Sequence, residues 1–162
     1  MGTHATLSPS SADRWLTCPG SVYLSKDLPD STTAYAEEGT DFHELAAMCL
    51  ETGDNAVDYV GQPMLSGALV DEDNAKILQT GYIDVVRAYA VDGTLLIEEA
   101  CPIGTYTLEE GAEGTSDAVI IKTDRELIVC DLKFGRGVEV SPDDNRQCKL
   151  YALGVIEKHQ LH

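Results

Sequence analysis

The spacing of the hydrophobic residues predicts helices in the first half of the chain. A serine-rich stretch with Ser10 or Ser11 as the N-cap opens a short helix that ends near Pro19. Apolar side chains then recur at helical spacing over residues 36–51, which predicts a longer helix. Residues 54–70 show no such period and contain several helix breakers, so we expect this stretch to be irregular.

The second half begins with another helix and then changes to the alternating spacing of strands. Acidic residues open this helix after position 70, and Gly93 ends it. Its predicted apolar stripe consists of Leu78, Tyr82, Val85, Val86 and Tyr89. Strands are predicted over residues 94–100, 106–108, 115–122 and 126–134. A final helix is predicted over residues 143–158, with Leu150, Leu153 and Ile156 available for packing.

The order of these elements predicts an α+β or α/β sandwich, in which helices flank a small sheet. The segment 122–125 is a turn, so the last two strands are expected to form an antiparallel hairpin. We treat residues 1–162 as one domain with an N-terminal helical segment, residues 1–35, followed by a core, residues 36–162.

Composition narrows the classes of protein that are compatible with this pattern. The chain has 162 residues, of which 11 are Lys or Arg and 28 are Asp or Glu, so the formal net charge is −17. This balance argues against a protein that holds nucleic acid through a broad basic surface. A hydrophobic content of 43% is typical of a folded domain and argues against a disordered acidic tail.

The sequence also predicts a cytoplasmic protein without contact with a membrane. Residues 1–9 lack the features of a signal peptide, and no apolar run approaches the ~20 residues that a membrane span needs. The five cysteines are odd in number and form no CxxC pair, which favours a reducing compartment. We expect most of these thiols to be buried, with Cys18 as the least certain.

The most informative polar residues are Asp131 and Lys133, which lie in an apolar run that is predicted to be a strand. Alternate residues of a strand share a face, so the two side chains are expected to project together. Burying either charge alone is costly. The pair is therefore either a structural ion pair on a half-exposed strand or part of a site with a further partner.

A second carboxylate, Asp117, lies on the preceding predicted strand. By itself it could be a surface residue near a turn. If the two strands form a hairpin, however, Asp117 and Asp131 converge, and two carboxylates suit Mg²⁺ completed by water and phosphate. The ammonium of Lys133 could then orient the attacking water or neutralise charge on the phosphate.

Three more residues complete the candidate set. His43 lies in an amphipathic helix and is either a solvated or satisfied core residue or, beside carboxylates, a ligand suited to Mn²⁺. Gln147 and Tyr151 are four positions apart on the last helix and so share one face. They are either ordinary surface residues or hydrogen-bond partners of a substrate phosphate or of Lys133.

Together these residues resemble the motifs of the PD-(D/E)XK nuclease superfamily, specifically its RecB-like exonuclease branch. The matching motifs, in the same order, are Gly39-xxx-His43, Gly114-xx-Asp117, Asp131-x-Lys133 and Gln147-xxx-Tyr151. The stretch from Ser8 to Ser21 further resembles phage- and prophage-encoded RecB-like proteins that are catalogued as a domain of unknown function. The resemblance implies a restriction-endonuclease-like core, with a small mixed sheet flanked by helices.

The resemblance also implies a reaction, the metal-dependent hydrolysis of phosphodiester bonds in linear single- or double-stranded DNA. It implies Mg²⁺ or Mn²⁺ held by His43, Asp117, Asp131 and the carbonyl of Leu132. Lys133 would be the catalytic lysine. Gln147 and Tyr151 would support it near the scissile phosphate. Because Arg136, Arg146 and Lys149 are the few basic residues near this cleft, we expect them to carry most of the phosphate contact.

Two departures from the branch are visible. Several relatives bind an iron–sulfur cluster through four cysteines, but only Cys18 matches here, which argues against a cluster in this chain alone. Relatives also continue with further strands, so the resemblance implies a chain cut short after the QxxxY helix. We therefore expect self-association or a protein partner that completes the fold.

Two other classes of function stay open at this point. The chain could be a catalytically silent nuclease-fold protein that acts as a binding or regulatory subunit. It could also be a structural metal-binding module with no role in nucleic-acid chemistry.

Overall fold

A three-stranded antiparallel sheet flanked by helices forms the centre of the computed structural model, which describes residues 5–26, 34–123, 125–135 and 140–161. The predicted α+β fold is therefore confirmed. In chain order the elements are a 3₁₀ turn (Pro9–Ser11), α1 (Ala12–Thr17), α2 (Gly20–Ser25), α3 (Ala34–Thr52), a 3₁₀ turn (Ala56–Tyr59), α4 (Glu72–Leu78), a π-helical turn (Gln79–Ile83), α5 (Asp84–Ala90), β1 (Gly93–Pro102), α6 (Gly104–Thr107), β2 (Glu113–Lys122), β3 (Leu127–Cys130) and α7 (Arg146–His159).

The strand order is β1-β2-β3, and both neighbouring pairs are antiparallel. In the central strand, Val119 pairs with Leu96 on one side and with Val129 on the other. The hairpin predicted for the last two strands is thus confirmed. The mixed sheet implied by the resemblance does not occur in the part of the chain that the structure describes, because no parallel pair is found there.

Helices cover both faces of the sheet, and alternation along β2 separates the two cores. Ala118 and Ile120 pack with α3, α4 and α5, which we call the α3–α5 layer. Val119 packs with Tyr151 and Val155 of α7 on the other face. All three β2 side chains are fully buried, and burial of a side chain such as Val or Ile contributes roughly 1.5–3 kcal/mol relative to exposure.

The last helix lies very close to β1. A Cβ atom added to Gly154 would come within 2.7 Å of the Pro102 carbonyl oxygen, so only glycine allows this approach. Leu150 is buried as expected, but Leu153 and Ile156 are each 38% exposed. Although the sequence made these two residues available for packing, they lie outside the two cores because α7 turns its Tyr151–Val155 face to the sheet.

The apolar stripe predicted for the helix that begins after position 70 also needs correction. Leu78, Tyr82 and Val86 are buried, whereas Val85 is 42% and Tyr89 is 49% exposed. The π-helical turn between α4 and α5 explains the difference. A π turn contains one residue more than an α turn, so every position after it is rotated away from its expected direction.

Two strand predictions were wrong. Residues 106–108 are not extended, because α6 covers Gly104–Thr107 and Leu108 then adopts a left-handed conformation with φ of 58°. The strand predicted over residues 126–134 is shorter, since β3 ends at Cys130. Asp131 and Lys133 therefore follow the strand instead of lying within it.

The cysteines are free, and their burial varies. Cys49 and Cys101 are buried as expected, Cys130 and Cys148 are half-buried, and Cys18 is exposed. Within the described ranges, no helix combines the length and the apolar character needed to cross a lipid bilayer.

Candidate active site

The first pair of candidate residues joins α3 to the central strand. His43 lies in the middle of α3, and its Nδ1 atom is 2.9 Å from Oδ1 of Asp117 on β2. The other oxygen, Oδ2, accepts a hydrogen bond of 2.6 Å from the backbone N–H of Leu132. Both oxygens of Asp117 are thus engaged, one by a helix and one by the segment that follows β3.

The bond between Leu132 and Asp117 also accounts for the early end of β3. A strand continues only while its backbone groups pair with the neighbouring strand. At Leu132 the N–H donates to a side chain instead, and the ladder between β2 and β3 has already ended at Cys130. The polar side chain of Asp117 therefore replaces a backbone partner and directs the chain away from the sheet.

The second pair lies on that departing segment. The ammonium of Lys133 is 2.6 Å from Oδ2 of Asp131. The Asp131 side chain is only 9% exposed, whereas the Lys133 side chain is 47% exposed. The lysine thus reaches the carboxylate from the solvent side, and the expectation that the two side chains lie together holds although the strand has ended.

The last helix supplies the third component. The amide Nε2 of Gln147 donates to Oδ1 of Asp131 at 2.8 Å and also lies 3.0 Å from the hydroxyl oxygen of Tyr151. Because Gln147 and Tyr151 are one helical turn apart, both reach the same point from one face of α7. Neither residue is an ordinary surface side chain, since both are partly or fully buried.

The two glycines of the resembling motifs differ in their surroundings. A Cβ atom added to Gly114 would come within 2.6 Å of Pro9 and 2.9 Å of Tyr151, so this position requires glycine. A Cβ atom added to Gly39 would meet the Phe134 carbonyl oxygen at 3.9 Å, which is an ordinary contact. The described residues therefore give no steric reason for glycine at position 39.

The groups of the site are coupled electrostatically. The hydrogen bond to Asp117 raises the pKa of His43 against the opposing effect of burial, and the charges of Asp117 and Asp131 act in the same direction. Burial raises the pKa of Asp131, although Lys133 opposes this change. Burial likewise raises the pKa of Tyr151, to about 12. The histidine therefore keeps its proton to a higher pH than an ordinary histidine does.

Sequence reasoning missed Glu98, which lies on β1 opposite Asp117, between the pairs Ile97–Ala118 and Glu99–Ser116. Its φ of 48° is unusual for a side chain other than glycine, and such strain concentrates at functional sites. Although Glu98 is exposed, desolvation and the charge of Asp117 raise its pKa. Two consecutive glutamates in the sequence contain no signal that singles out this one.

The donor set agrees in chemistry with a divalent cation, but its side chains are paired with one another. An imidazole and two carboxylates, from His43, Asp117 and Asp131, are ligand types that Mn²⁺ accepts. Over the described ranges, no three His, Cys, Asp or Glu side chains already form a group that could hold a metal ion. The resemblance implies a role for the carbonyl of Leu132, whereas the contact that the structure shows at this residue is made by its N–H, which donates to Asp117.

The basic residues expected near the site are already engaged. Arg146 donates to the Thr17 hydroxyl at 2.8 Å, and Lys149 pairs with Asp144. Arg136 lies outside the described residues. Arg146 or Lys149 could therefore contact a phosphate only after its present bond to Thr17 or Asp144 breaks.

The fold and the site define an α+β protein in which a three-stranded antiparallel sheet ends in a network of His, Asp, Lys, Gln and Tyr side chains. A family model described as "Protein of unknown function (DUF2800)" matches residues 4–162, and the chain therefore belongs to this family. No solved structure matches the chain.

Proposed function

We propose that this protein is a Mg²⁺- or Mn²⁺-dependent deoxyribonuclease, an exonuclease of the PD-(D/E)XK type that acts on linear DNA in the cytoplasm. The observation that supports the proposal most directly is the hydrogen-bonded network of the site. It joins His43 to Asp117, Asp117 to the backbone between Asp131 and Lys133, and Asp131 to Gln147. A series of hydrogen bonds thus links short motifs that are far apart in sequence.

His43, Asp117 and Asp131 are the residues that would hold the cation. A bound divalent cation would supply Lewis-acid stabilisation of the negative charge on the reacting phosphate. Cation binding would compete with the bond between His43 and Asp117 and with the ion pair between Asp131 and Lys133. Release of Lys133 from Asp131 would leave its half-exposed ammonium able to face a phosphate oxygen.

Gln147 and Tyr151 would position the other groups. The Gln147 amide holds one oxygen of Asp131, which fixes the direction of the carboxylate. The Tyr151 hydroxyl is buried and keeps its proton at neutral pH, because burial raises its pKa to about 12. Tyr151 can therefore act as a hydrogen-bond donor but not as a base.

The test is cleavage of labelled linear DNA, single- and double-stranded, with MnCl₂ or MgCl₂. We expect the wild-type protein to degrade at least one of these substrates. The variant Lys133→Ala is expected to lower the rate about 100-fold or more, the scale of losing a group that stabilises transition-state charge.

A matched control is Lys76→Ala. Lys76 pairs with Glu72 at 2.6 Å, the same distance as in the Lys133–Asp131 pair, but it lies on α4 and forms an i,i+4 surface pair. We expect this variant to retain wild-type activity. Equal activity of wild type and Lys133→Ala would contradict the proposal and would point to a contaminating nuclease.

One observation favours the second candidate function, a catalytically silent binding or regulatory subunit. The side chains of the site satisfy one another and form no ready three-donor group within the described residues. Calorimetry with MnCl₂ on wild type and Asp117→Asn separates the two candidates. Nuclease function requires binding that the substitution weakens, whereas a silent subunit shows no cleavage with any cation and forms a stable complex with another protein.

A further inference from the structure

Charge is distributed unequally between the two sides of the sheet. Residues 34–92, which contain the α3–α5 layer, carry twelve Asp and Glu side chains but only two Lys and Arg side chains. The other side is close to balanced, because residues 1–35 and 140–162, which contain α1, α2 and α7, carry five Lys and Arg side chains against six Asp and Glu side chains. The phosphates of DNA are repelled by the first side, so an approaching strand is favoured along the second.

The helices α1 and α2, which we call the N-terminal helices, are attached beside the candidate site. Arg146 bonds to Thr17 and pairs with Asp13 at 3.6 Å, and it immediately precedes Gln147 of the site. Pro9, just before α1, is close enough to Gly114 and Tyr151 to leave no space for a Cβ at Gly114. The helix α1 therefore lies beside the site, and α2 packs against α1.

Two basic side chains at the N-terminal helices differ from the other cations near the site because, in the described part of the chain, neither pairs with a carboxylate. Arg14 and Lys26 are exposed and form no ion pair within the described residues, whereas Lys133, Arg146 and Lys149 are each paired with a carboxylate. A cation without a carboxylate partner can contact phosphate without first breaking another bond. This difference favours the N-terminal helices over α7 for the first contact with DNA.

An aromatic side chain accompanies the two cations. Tyr23 is 77% exposed, and the Lys26 ammonium lies 5.9 Å from the centre of its ring. An exposed ring beside a cation is the combination that binds single strands, because an unpaired base stacks on the ring while the cation meets the adjacent phosphate. In a duplex the bases already stack on each other and offer no free face.

We propose that the N-terminal helices bind single-stranded DNA through Arg14, Lys26 and Tyr23 and lead it to the candidate site. The inference rests on the proposed function and names its substrate class. Arg14 and Lys26 contact phosphates, and Tyr23 stacks on a base. The acidic α3–α5 layer keeps the strand on this side of the protein.

Fluorescence anisotropy with a labelled oligonucleotide tests the proposal, at low salt and without divalent cations so that no cleavage occurs. The double variant Arg14→Ala/Lys26→Ala is compared with the control Lys122→Ala/Arg125→Ala, which changes the net charge equally. The control residues line a groove with Ile156 near the C-terminal end of α7, whereas Gln147 of the site lies in its first turn. The control therefore removes two cations from the opposite end of the helix.

We expect the Arg14→Ala/Lys26→Ala variant to bind single-stranded DNA about 10-fold more weakly than wild type. Its plot of log affinity against log salt should be shallower by about 1.4, the value for two lost phosphate contacts on a single strand. The control should change neither quantity appreciably. Equal weakening by both double variants would overturn the proposal, because it would show only a general effect of net charge.

The role of Tyr23 has its own matched control. Tyr23→Ala should weaken binding several-fold, on the scale of one lost base stack. Tyr89→Ala, which removes a ring that is 49% exposed on the acidic side, should leave binding unchanged. A duplex of the same sequence should bind more weakly than the single strand, and tighter binding of the duplex would overturn the choice of substrate.

The two levels of the proposal fail in different ways. If wild type binds and cleaves DNA while Arg14→Ala/Lys26→Ala behaves as the control, the role of the N-terminal helices is wrong and the nuclease function stands. If wild type neither binds nor cleaves DNA of either form, the proposed function is wrong and this inference falls with it.

Discussion

The amide of Gln147, in the first turn of α7, donates a hydrogen bond of 2.8 Å to Oδ1 of Asp131, one residue beyond the end of β3. The same amide lies 3.0 Å from the Tyr151 hydroxyl. This contact joins the last helix to the segment that carries Lys133. The position of the Asp131 carboxylate therefore depends on α7, which is 16 residues away in sequence.

Replacement of Gln147 by leucine should destabilise the protein. The substitution keeps the size of the side chain but removes the donor from an Asp131 carboxylate that is only 9% exposed. Leaving a nearly buried charged group without this donor is expected to lower the free energy of unfolding by about 1–3 kcal/mol, measured by urea denaturation. Gln62→Leu is the control, because Gln62 is exposed and its amide lies 3.5 Å from its acceptor. Equal stabilities of the two variants would contradict this account.

Two glycine substitutions should have opposite effects. Gly114→Ala places a methyl group 2.6 Å from Pro9, which should cost about 1–3 kcal/mol through displacement of the N-terminal segment or Tyr151. Gly81→Ala adds a methyl group to an exposed helical position with nothing within 4 Å, and it should stabilise by about 0.5–1 kcal/mol. Thermal denaturation measures both changes. A Gly114→Ala protein as stable as wild type would show that Pro9 and Tyr151 move without cost.

The conformation of Glu98 predicts an unusual order of stabilities. At φ of 48° an L side chain is strained, so Glu98→Gly should be more stable than Glu98→Ala by about 1 kcal/mol. At Thr94, an exposed position on the same strand with ordinary backbone geometry, the order should be reversed. Urea denaturation of the four variants tests this comparison, and the same order at both positions would argue against strain at Glu98.

The surroundings of Glu99, the second glutamate of β1, predict how the stability of the protein depends on pH. Burial acts to raise the pKa of Glu99, but hydrogen bonds from Lys158 at 2.8 Å and His159 at 2.7 Å hold it below its ordinary value. Because the pKa of Glu99 is lowered in the folded state, its bonds to Lys158 and His159 stabilise the protein above about pH 4.5. This stabilisation is lost as the pH falls through the folded-state pKa of Glu99. Water screens the 39% exposed Lys158, so we expect a contribution of no more than about 1 kcal/mol.

The variant Glu99→Gln isolates this contribution. It should be less stable than wild type at pH 7, and the difference should shrink as pH falls below about 4.5. The exposed Glu110→Gln serves as the control and should match wild type throughout. Urea denaturation over this pH range gives both comparisons, and a difference that persists at acid pH would show that packing, not charge, is responsible.

Local sequence patterns were sufficient for most elements and insufficient for their ends. Helices α3 and α7 and the β2–β3 hairpin follow from periodicity, because each repeats its apolar spacing over several residues. The end of β3 does not follow from periodicity, because it depends on the Leu132 N–H, which bonds to the Asp117 side chain instead of to the neighbouring strand. The exposure of Val85 depends on a π-helical turn that no hydrophobic pattern marks.

The candidate site divides in the same way. The sequence by itself determined which residue types were available, His43, Asp117, Asp131, Lys133, Gln147 and Tyr151, and the order in which they occur. Only the tertiary structure decided that they meet, that Gln147 holds Asp131, and that Glu98 instead of Glu99 lies opposite Asp117. The physical reason is that a hydrogen bond needs its two atoms about 3 Å apart, and for residues this distant in sequence only the packing of α3 and α7 against the sheet sets that distance.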